Sequence, residues 1–191
     1  DTKGYKKSVG LNGVGLKAVN ALSSYFYVEA FRDGMSSFAE FREGKLIDSS
    51  IRQAPSKEKN GTFVKFIPDD HLFVGYNFRM EFIESMMKNY SYLKKGLTLN
   101  FNGTAYKSEN GLLDLINDNM SETPLYEPIH LVGEDVEIVL THGNSYGENI
   151  ASFVNGQNTR DGGTHLAAMR EAIAKTLKEF YKTFAKKDFA P

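Results

Sequence analysis

The sequence predicts an α+β chain in two parts, on three observations. A short apolar helix leads into strands that turn back on one another over residues 25–67. A helix with apolar residues spaced three and four apart then covers 77–94. Beyond a Pro-containing stretch at 121–128 the pattern changes to new strands and ends in a long helix.

Gly13-Val14-Gly15 leads into the first helix. Its Val14, Leu16, Ala18, Val19, Ala21 and Leu22 are apolar on both sides, so both sides read as largely buried. It stops near Ser23-Ser24. Tyr25 to Arg32 alternates, with Phe26, Val28 and Ala30 on one face and Tyr25, Tyr27 and Phe31 on the other. Asp33-Gly34 marks a hairpin turn. Ser37 to Arg42 returns, Glu43-Gly44-Lys45 turns again, and a third strand is expected near Leu46 to Arg52. Pro55 to Gly61 is charged and breaks structure. Thr62 to Ile67 then alternates and ends at Pro68.

The 77–94 helix carries Phe78, Phe82, Ile83, Met86, Met87, Tyr90 and Leu93, and Lys94-Lys95-Gly96 stops it. A strand follows at Leu97 to Phe101, with a turn at Asn102-Gly103 and a short helix from Gly111 to Asn119. Ser121 to Pro128 reads as a linker. It sets a boundary near residue 127, with one domain at 1–127 and a second beginning at 128 and running to 191. Ile129 to Val132, Val136 to Thr141 and Asn149 to Asn155 read as strands. Asp161-Gly162-Gly163-Thr164 opens the last helix, whose Leu166, Met169, Ile173, Leu177, Phe180 and Phe184 form one stripe. Thr164 is its N-cap or a first-turn residue.

The bulk of the 191 residues narrows the possibilities. At 41% hydrophobic and 13% aromatic, the chain can build a core, with Phe and Tyr as its large side chains because Trp is absent. A net charge of −1 argues against a domain whose main task is holding a phosphate backbone. Without cysteine there is no disulfide, thiolate zinc site or thiol nucleophile, which fits a reducing compartment. No apolar run approaches the ~20 residues of a membrane span, and no secretory signal is visible. The expectation is a cytoplasmic protein without a membrane partner. The first residue is Asp1, followed at once by a polar, Lys- and Gly-rich stretch. That start is expected of the middle of a longer polypeptide.

Three groups of residues could carry chemistry. Gly10-Leu11-Asn12-Gly13-Val14-Gly15 runs into a helix start, with Lys6 and Lys7 upstream. Glycines let a backbone approach a ligand, and free N–H groups at a helix start suit a phosphate. On spacing alone the same residues read more readily as a flexible loop before a helix, and they match neither GxGxxG nor Walker A spacing. Asn155 to His165 is either a contact loop or ordinary strand-to-helix turn chemistry. His71, His130, His142 and His165 lack zinc-site spacing, so no metal site is expected. Asp69-Asp70 and Glu134-Asp135 sit at turn positions and read as solvated.

Taken together, five segments resemble one family. Gly4-Tyr5-Lys6-Lys7-Ser8-Val9-Gly10-Leu11-Asn12-Gly13-Val14-Gly15 is similar to the ATP lid of gyrase B and topoisomerase IV ATPase subunits, with Asn12 where the family usually has His. Ala18-Val19-Asn20-Ala21-Leu22-Ser23 is similar to the family's Val-Val-Asn-Ala-Leu-Ser. Asn60 to Asp69 resembles its Gly-Thr-x-Val-x-Phe-x-Pro-Asp strand, and Tyr92 to Thr98 its Phe-Leu-Asn-x-Gly-Leu segment. Ser152-Phe153-Val154-Asn155 with Gly162-Gly163-Thr164-His165 resembles Phe-Val-Asn followed by Gly-Gly-Thr-His in the transducer domain.

The resemblance implies that residues 1–127 are the back part of a GHKL (Bergerat) ATPase α/β sandwich. Residues 128–191 would then begin a ribosomal-protein-like transducer domain. It implies ATP and Mg2+ as cofactors. Tyr5 and the backbone of Gly10, Leu11, Asn12, Gly13, Val14 and Gly15 would lie against ribose or phosphates, Thr62 in the adenine pocket, and Arg32 at the pocket rim. The family's general-base Glu, its magnesium-binding Asn and its adenine-binding Asp lie upstream of the lid, and its transducer lysine lies downstream of residue 191. No catalytic residue is therefore expected in this chain, which on its own is expected to be inactive. The implied parent passes one DNA duplex through another. Its ATPase subunit dimerises on ATP, and its partner A subunit carries the DNA-cleaving tyrosine. Ser152 to Gln157 and the short linker are closer to the topoisomerase IV branch.

Two other readings stand beside this one. The chain as made could be a structural or interaction module that binds no nucleotide. It could also belong to another GHKL ATPase, against which the Gly-Gly-Thr-His segment speaks. Lacking the upstream elements, the sheet and the Val14–Leu22 helix should expose apolar surface, and self-association or a disordered lid is expected.

Overall fold

The computed structural model describes residues 13–48 and 52–186. They divide between Arg79 and Met80 into two compact units. In the first, α1 (Gly15–Ala21) leads into β1 (Ser23–Arg32). The strands β2 (Met35–Arg42), β3 (Lys45–Leu46), β4 (Arg52–Pro55) and β5 (Gly61–Pro68) follow. They form an antiparallel sheet in the order β3-β2-β1-β5, with β4 also paired to β2. Asp33 and Gly34 both take positive φ, 54° and 79°. A two-residue hairpin turn of type I′ needs this of both central residues, and Asp tolerates it because its side chain is short and polar.

The alternation expected for β1 is observed. Ala30 pairs with Ser37 and Thr62, and Tyr27 with Glu40 and Lys65. Phe26, Val28, Ala30 and Arg32 thus share one face with Val64, Phe66 and Thr62. Phe26 is 3% exposed and meets Phe41 edge-on at 6.0 Å. On the other face Tyr27 stacks on Phe38 at 5.6 Å and meets Phe63 edge-on at 6.1 Å. Burial, and then the Glu29 carboxylate that accepts its hydroxyl at 2.9 Å, push the Tyr27 phenol up to about 12.

The expected third strand is split in two. Leu46 pairs with Phe41 and Arg52 with Phe38. Two residues of β2 separate those pairs against five of the returning chain, so the register shifts by three. Asp48, just before the break, is of a residue type that favours local side chain–backbone bonds over a ladder. The expectation that α1 is buried on both sides is not met. The helix packs against β1 and β5, yet none of its residues is buried, and Val14 is 59% exposed. Phe63, Val64, Phe66 and Ile67 of β5 are exposed as well. The expected uncovered apolar surface is therefore present on both elements.

The second unit opens with α2 (Met80–Leu93), three residues later than the spacing predicts. Phe78 stays outside the helix and packs edge-on against Tyr76 at 5.8 Å. β6 (Leu99–Phe101) and β7 (Thr104–Tyr106) form a hairpin through Asn102-Gly103, both at positive φ. α3 (Leu112–Asn119) packs against α2. The phenol of Tyr92 on α2 donates to Asp118 on α3, and burial with that carboxylate raises the phenol to about 12. Asp114, in the first turn of α3, accepts Ser108 Oγ at 2.7 Å, the Asn110 N–H at 3.0 Å and the Asn110 amide at 2.9 Å. These donors hold its carboxyl below the ordinary value. Such a ring of bonds caps a helix start.

β8 (Ile129–Val132) and β9 (Glu137–Leu140) pair as a hairpin against α3. The expected linker 121–128 is stitched to the loop after β9. The Leu125 N–H donates to the His142 carbonyl at 2.8 Å and Thr141 Oγ1 to the Tyr126 carbonyl at 3.0 Å. Tyr126 also bonds His142 through its hydroxyl. Glu122 Oε1 accepts the Ser145 N–H at 2.9 Å and its hydroxyl at 2.6 Å. The second compact unit accordingly runs across residue 127. Within the strand expected at 149–155 only β10 (Phe153–Val154) forms, and Asn155 and Gly156, at positive φ, turn the chain into β11 (Gln157–Asn158). α4 (Thr164–Phe180) follows, with Thr164 its first residue and Gly163 the cap, and a π-helical turn Tyr181–Ala185 ends it. None of its residues is buried; Leu166 and Met169 of its stripe are half-buried, and Ile173, Leu177, Phe180 and Phe184 are exposed.

Candidate functional site

Of the residues that the resemblance assigns to nucleotide, Gly13, Val14, Gly15, Thr62 and Arg32 are described. Tyr5, Gly10, Leu11 and Asn12 lie outside the described residues. Arg32 and Thr62 are brought together at one end of the sheet. Thr62 sits opposite Ala30, and Arg32, two residues beyond Ala30, points to the same face. The Arg32 Nε lies 3.6 Å from Asp33 Oδ2, both side chains well exposed. Such a pair is worth little in stability, about 0–1 kcal/mol, and leaves the guanidinium accessible.

Gly13 takes φ +60°. Among the described residues, chain neighbours and the helix's own backbone aside, no heavy atom lies within 4 Å of where a side chain on Gly13 or Gly15 would begin. The backbone leading into α1 is thus open on its side-chain side. α1 carries no side-chain cap and no acidic residue in its own first turn.

The polar 155–165 segment resolves into a fastened turn. Ser152 Oγ lies 2.7 Å from His165 Nε2, Thr159 Oγ1 lies 3.2 Å from the same nitrogen, and the two hydroxyls bond each other. The Thr159 N–H donates to the Ser152 carbonyl at 2.8 Å. A Ser–His contact invites a nucleophile reading, but His165 has two hydroxyl partners and no carboxylate among the described residues, so nothing orients it as a base. Its other ring edge faces Gly163. A side chain there would begin 2.8 Å from Cε1 and 2.9 Å from Nδ1, at a φ of +152°. The arrangement pins β10 and β11 to the start of α4. Sequence reading quoted Ser152 and His165 in one resembling segment but did not foresee their contact across 13 positions of the chain.

The other histidines also have local partners. His130 Nε2 lies 2.9 Å from Glu137 Oε1, which also meets Lys95 Nζ at 3.3 Å. Asp69, Asp70 and His71 bring their ligand atoms within 4.8 Å of one another. Asp69 accepts the His71 N–H at 2.9 Å and closes a turn, the position expected of it. Among the described residues no helix is long and apolar enough to cross a membrane.

The fold matches that of nucleotide-hydrolysing domains. The 43K ATPase domain of Thermus thermophilus gyrase B, solved with an aminocoumarin, superposes with a TM-score of 0.74 at 29% identity, over 94% of this chain and 53% of that one. The topoisomerase IV ATP-binding domain of Francisella tularensis, at 21% identity and TM-score 0.72, shares the fold. The mixed helix-and-sheet architecture is that of the GHKL ATPase domains of gyrase B and topoisomerase IV. Residues 80–190 match the DNA gyrase B family model, and the chain belongs to that family. Among curated relatives, the DNA topoisomerase 4 B protein of Borreliella burgdorferi is 43% identical over 179 residues, covering 93% of this chain and 30% of the relative. The DNA gyrase B protein of Cytophaga hutchinsonii is 32% identical, covering 94% of this chain and 41% of the relative. The chain thus spans well under half the length of these relatives.

Proposed function

We propose that the chain is part of the ATP-hydrolysing subunit of a bacterial type IIA DNA topoisomerase, of the topoisomerase IV kind. The observation that carries this is the 43% identity to the Borreliella topoisomerase 4 B protein over 93% of the chain; the topoisomerase 4 B proteins of Enterococcus faecalis and Streptococcus pneumoniae, at 31% and 34%, lie in the same range as the gyrase B relatives, at 31–34%. In this reading the protein binds ATP with Mg2+ and acts on DNA in the cytoplasm. It pairs with a second copy of itself and with a DNA-cleaving A subunit.

Within the chain, the proposed nucleotide contacts are Tyr5, the backbone from Gly10 to Gly15 through Leu11, Asn12, Gly13 and Val14, and Thr62. Arg32 stands at the rim. The accessible guanidinium, its shared face with Thr62 and the open backbone at Gly13 and Gly15 support these assignments. The general base and the magnesium ligand belong to other parts of the parent, so the 191 residues alone are proposed not to hydrolyse ATP. Residues 1–127 are proposed as the back of the GHKL domain and 128–191 as the start of the transducer.

The test uses the full-length protein combined with its A subunit, on interlinked DNA circles and on relaxed plasmid. ATP-dependent unlinking without introduction of negative supercoils is expected. Negative supercoiling would move the protein to the gyrase branch. No change in DNA topology would favour a module without topoisomerase activity.

A further inference from the structure

Asn60 grips the β1–β2 turn at two points. Its Oδ1 accepts the backbone N–H of Asp33 at 2.8 Å, and its Nδ2 donates to Asp33 Oδ1 at 3.3 Å. The other carboxylate oxygen of Asp33 faces Arg32 Nε at 3.6 Å. The Ser56 N–H adds a bond to the Gly34 carbonyl at 2.8 Å.

The position of this contact matters more than its strength. The last pair between β1 and β5 is Phe31 with Gly61. Beyond it one chain enters the hairpin turn and the other the 56–60 loop, so the ladder no longer sets their spacing. Asn60 takes over there. It precedes β5 and stands two residues before Thr62, while Asp33 directly follows Arg32. A side-chain amide is suited to the task because it accepts from the Asp33 N–H and donates to the Asp33 carboxylate at once. Alanine does neither, and aspartate would accept the N–H but oppose the carboxylate.

Resting on the nucleotide reading above, we infer that Asn60 is a positioning residue. Through Asp33 it holds Arg32 and Thr62 at the spacing that nucleotide requires, without touching the nucleotide itself.

Exchanging the two side chains tests this without removing the clamp. In the double variant Asp33→Asn with Asn60→Asp, the new carboxylate at 60 accepts both the N–H and the side-chain amide of residue 33. Asn tolerates the positive φ of 54° at that position as well as Asp does. The measurements are steady-state ATP hydrolysis by the full-length protein and backbone amide exchange at residue 33. Asn60→Ala and Asn60→Asp should each raise the KM for ATP about three- to tenfold, with kcat held within about twofold, the scale of one or two exposed hydrogen bonds. Exchange at residue 33 should quicken in both. The double variant should return KM to within about twofold of the parent and slow the exchange again.

An unchanged KM in Asn60→Ala, or a double variant no better than Asn60→Asp, overturns the inference. If Asn60→Ala loosens the whole sheet, recovery in the double variant still decides. A parent protein without saturable ATP dependence overturns the nucleotide reading and the positioning role together. The exchange rate at residue 33 then still reports whether the clamp exists.

Discussion

The two compact units hold themselves together by different means. In the first, β1 has ten residues and β2 and β5 have eight each, and long backbone ladders join them. In the second, β6 to β11 have two to four residues each. Two-stranded pieces of that length are not stable alone in water. Side chains hold them instead: Ser152, Thr159 and His165 at the start of α4, the Asp114 ring at α3, and Glu122 on Ser145. A ladder is insensitive to any one side chain on an exposed face, whereas a hydroxyl–imidazole or carboxylate fastening fails when one member is lost or protonated. The first unit should therefore tolerate surface substitution and acid better than the second.

The largest expected effect is at Gly163. Gly163→Ala forces a side chain into a left-handed backbone position and onto the His165 ring. It should cost about 1–3 kcal/mol, read as accelerated amide exchange through 152–165 and a lower unfolding midpoint. His165→Ala should loosen the same stretch by a smaller step, about 1–2 kcal/mol for the bonds removed. Exchange in β1 and β5 should not move in either variant. A uniform loss of protection across both units would erase the contrast.

Acid should separate the units more gently. Bonds from Ser108 and Asn110 lower the Asp114 carboxyl, and bonds from Ser145 lower that of Glu122. A folded-state value depressed below the unfolded one contributes stability that is present above the unfolded value. That contribution is lost as the pH falls through the folded one. Titration below the ordinary carboxylate range should thus open 108–119 and 121–145 first. Asp114→Asn and Glu122→Gln should flatten that response, and a response equal in β1–β2–β5 would count against it.

The two units also differed in how far the sequence foretold them. Period-two alternation in Tyr25–Arg32 and Thr62–Ile67 led directly to β1 and β5, because that pattern is a property of the segment itself. Asp33-Gly34 and Asn102-Gly103 announced their turns through residue types that accept positive φ. The three-and-four spacing located α2 and α4 for the same local reason. What escaped depends on partners distant in the chain. Glu122 reaches Ser145 across 23 residues and turns an expected linker into a stitched segment. Asn60 reaches Asp33 across 27, and no spacing rule points from one to the other. Asn155 is the expected end of a strand, and the Asn155-Gly156 turn ends that strand one residue earlier, at Val154. At the site, spacing alone left Gly10–Gly15 open between a phosphate cradle and a loop. Family resemblance chose the former and singled out Thr62 and Arg32, which pairing then placed on one face.

The claim that joins these observations is that the sheet end bearing Arg32 and Thr62, with the backbone before α1, receives nucleotide, while the fastened second unit does not. Amide exchange on the full-length protein, with and without Mg2+ and a non-hydrolysable ATP analogue, tests it most directly. The account predicts new protection at residues 10–15 and 60–62 on adding the analogue, with 152–165 already protected in its absence. Saturable binding with no change at 10–15 and 60–62 would contradict it.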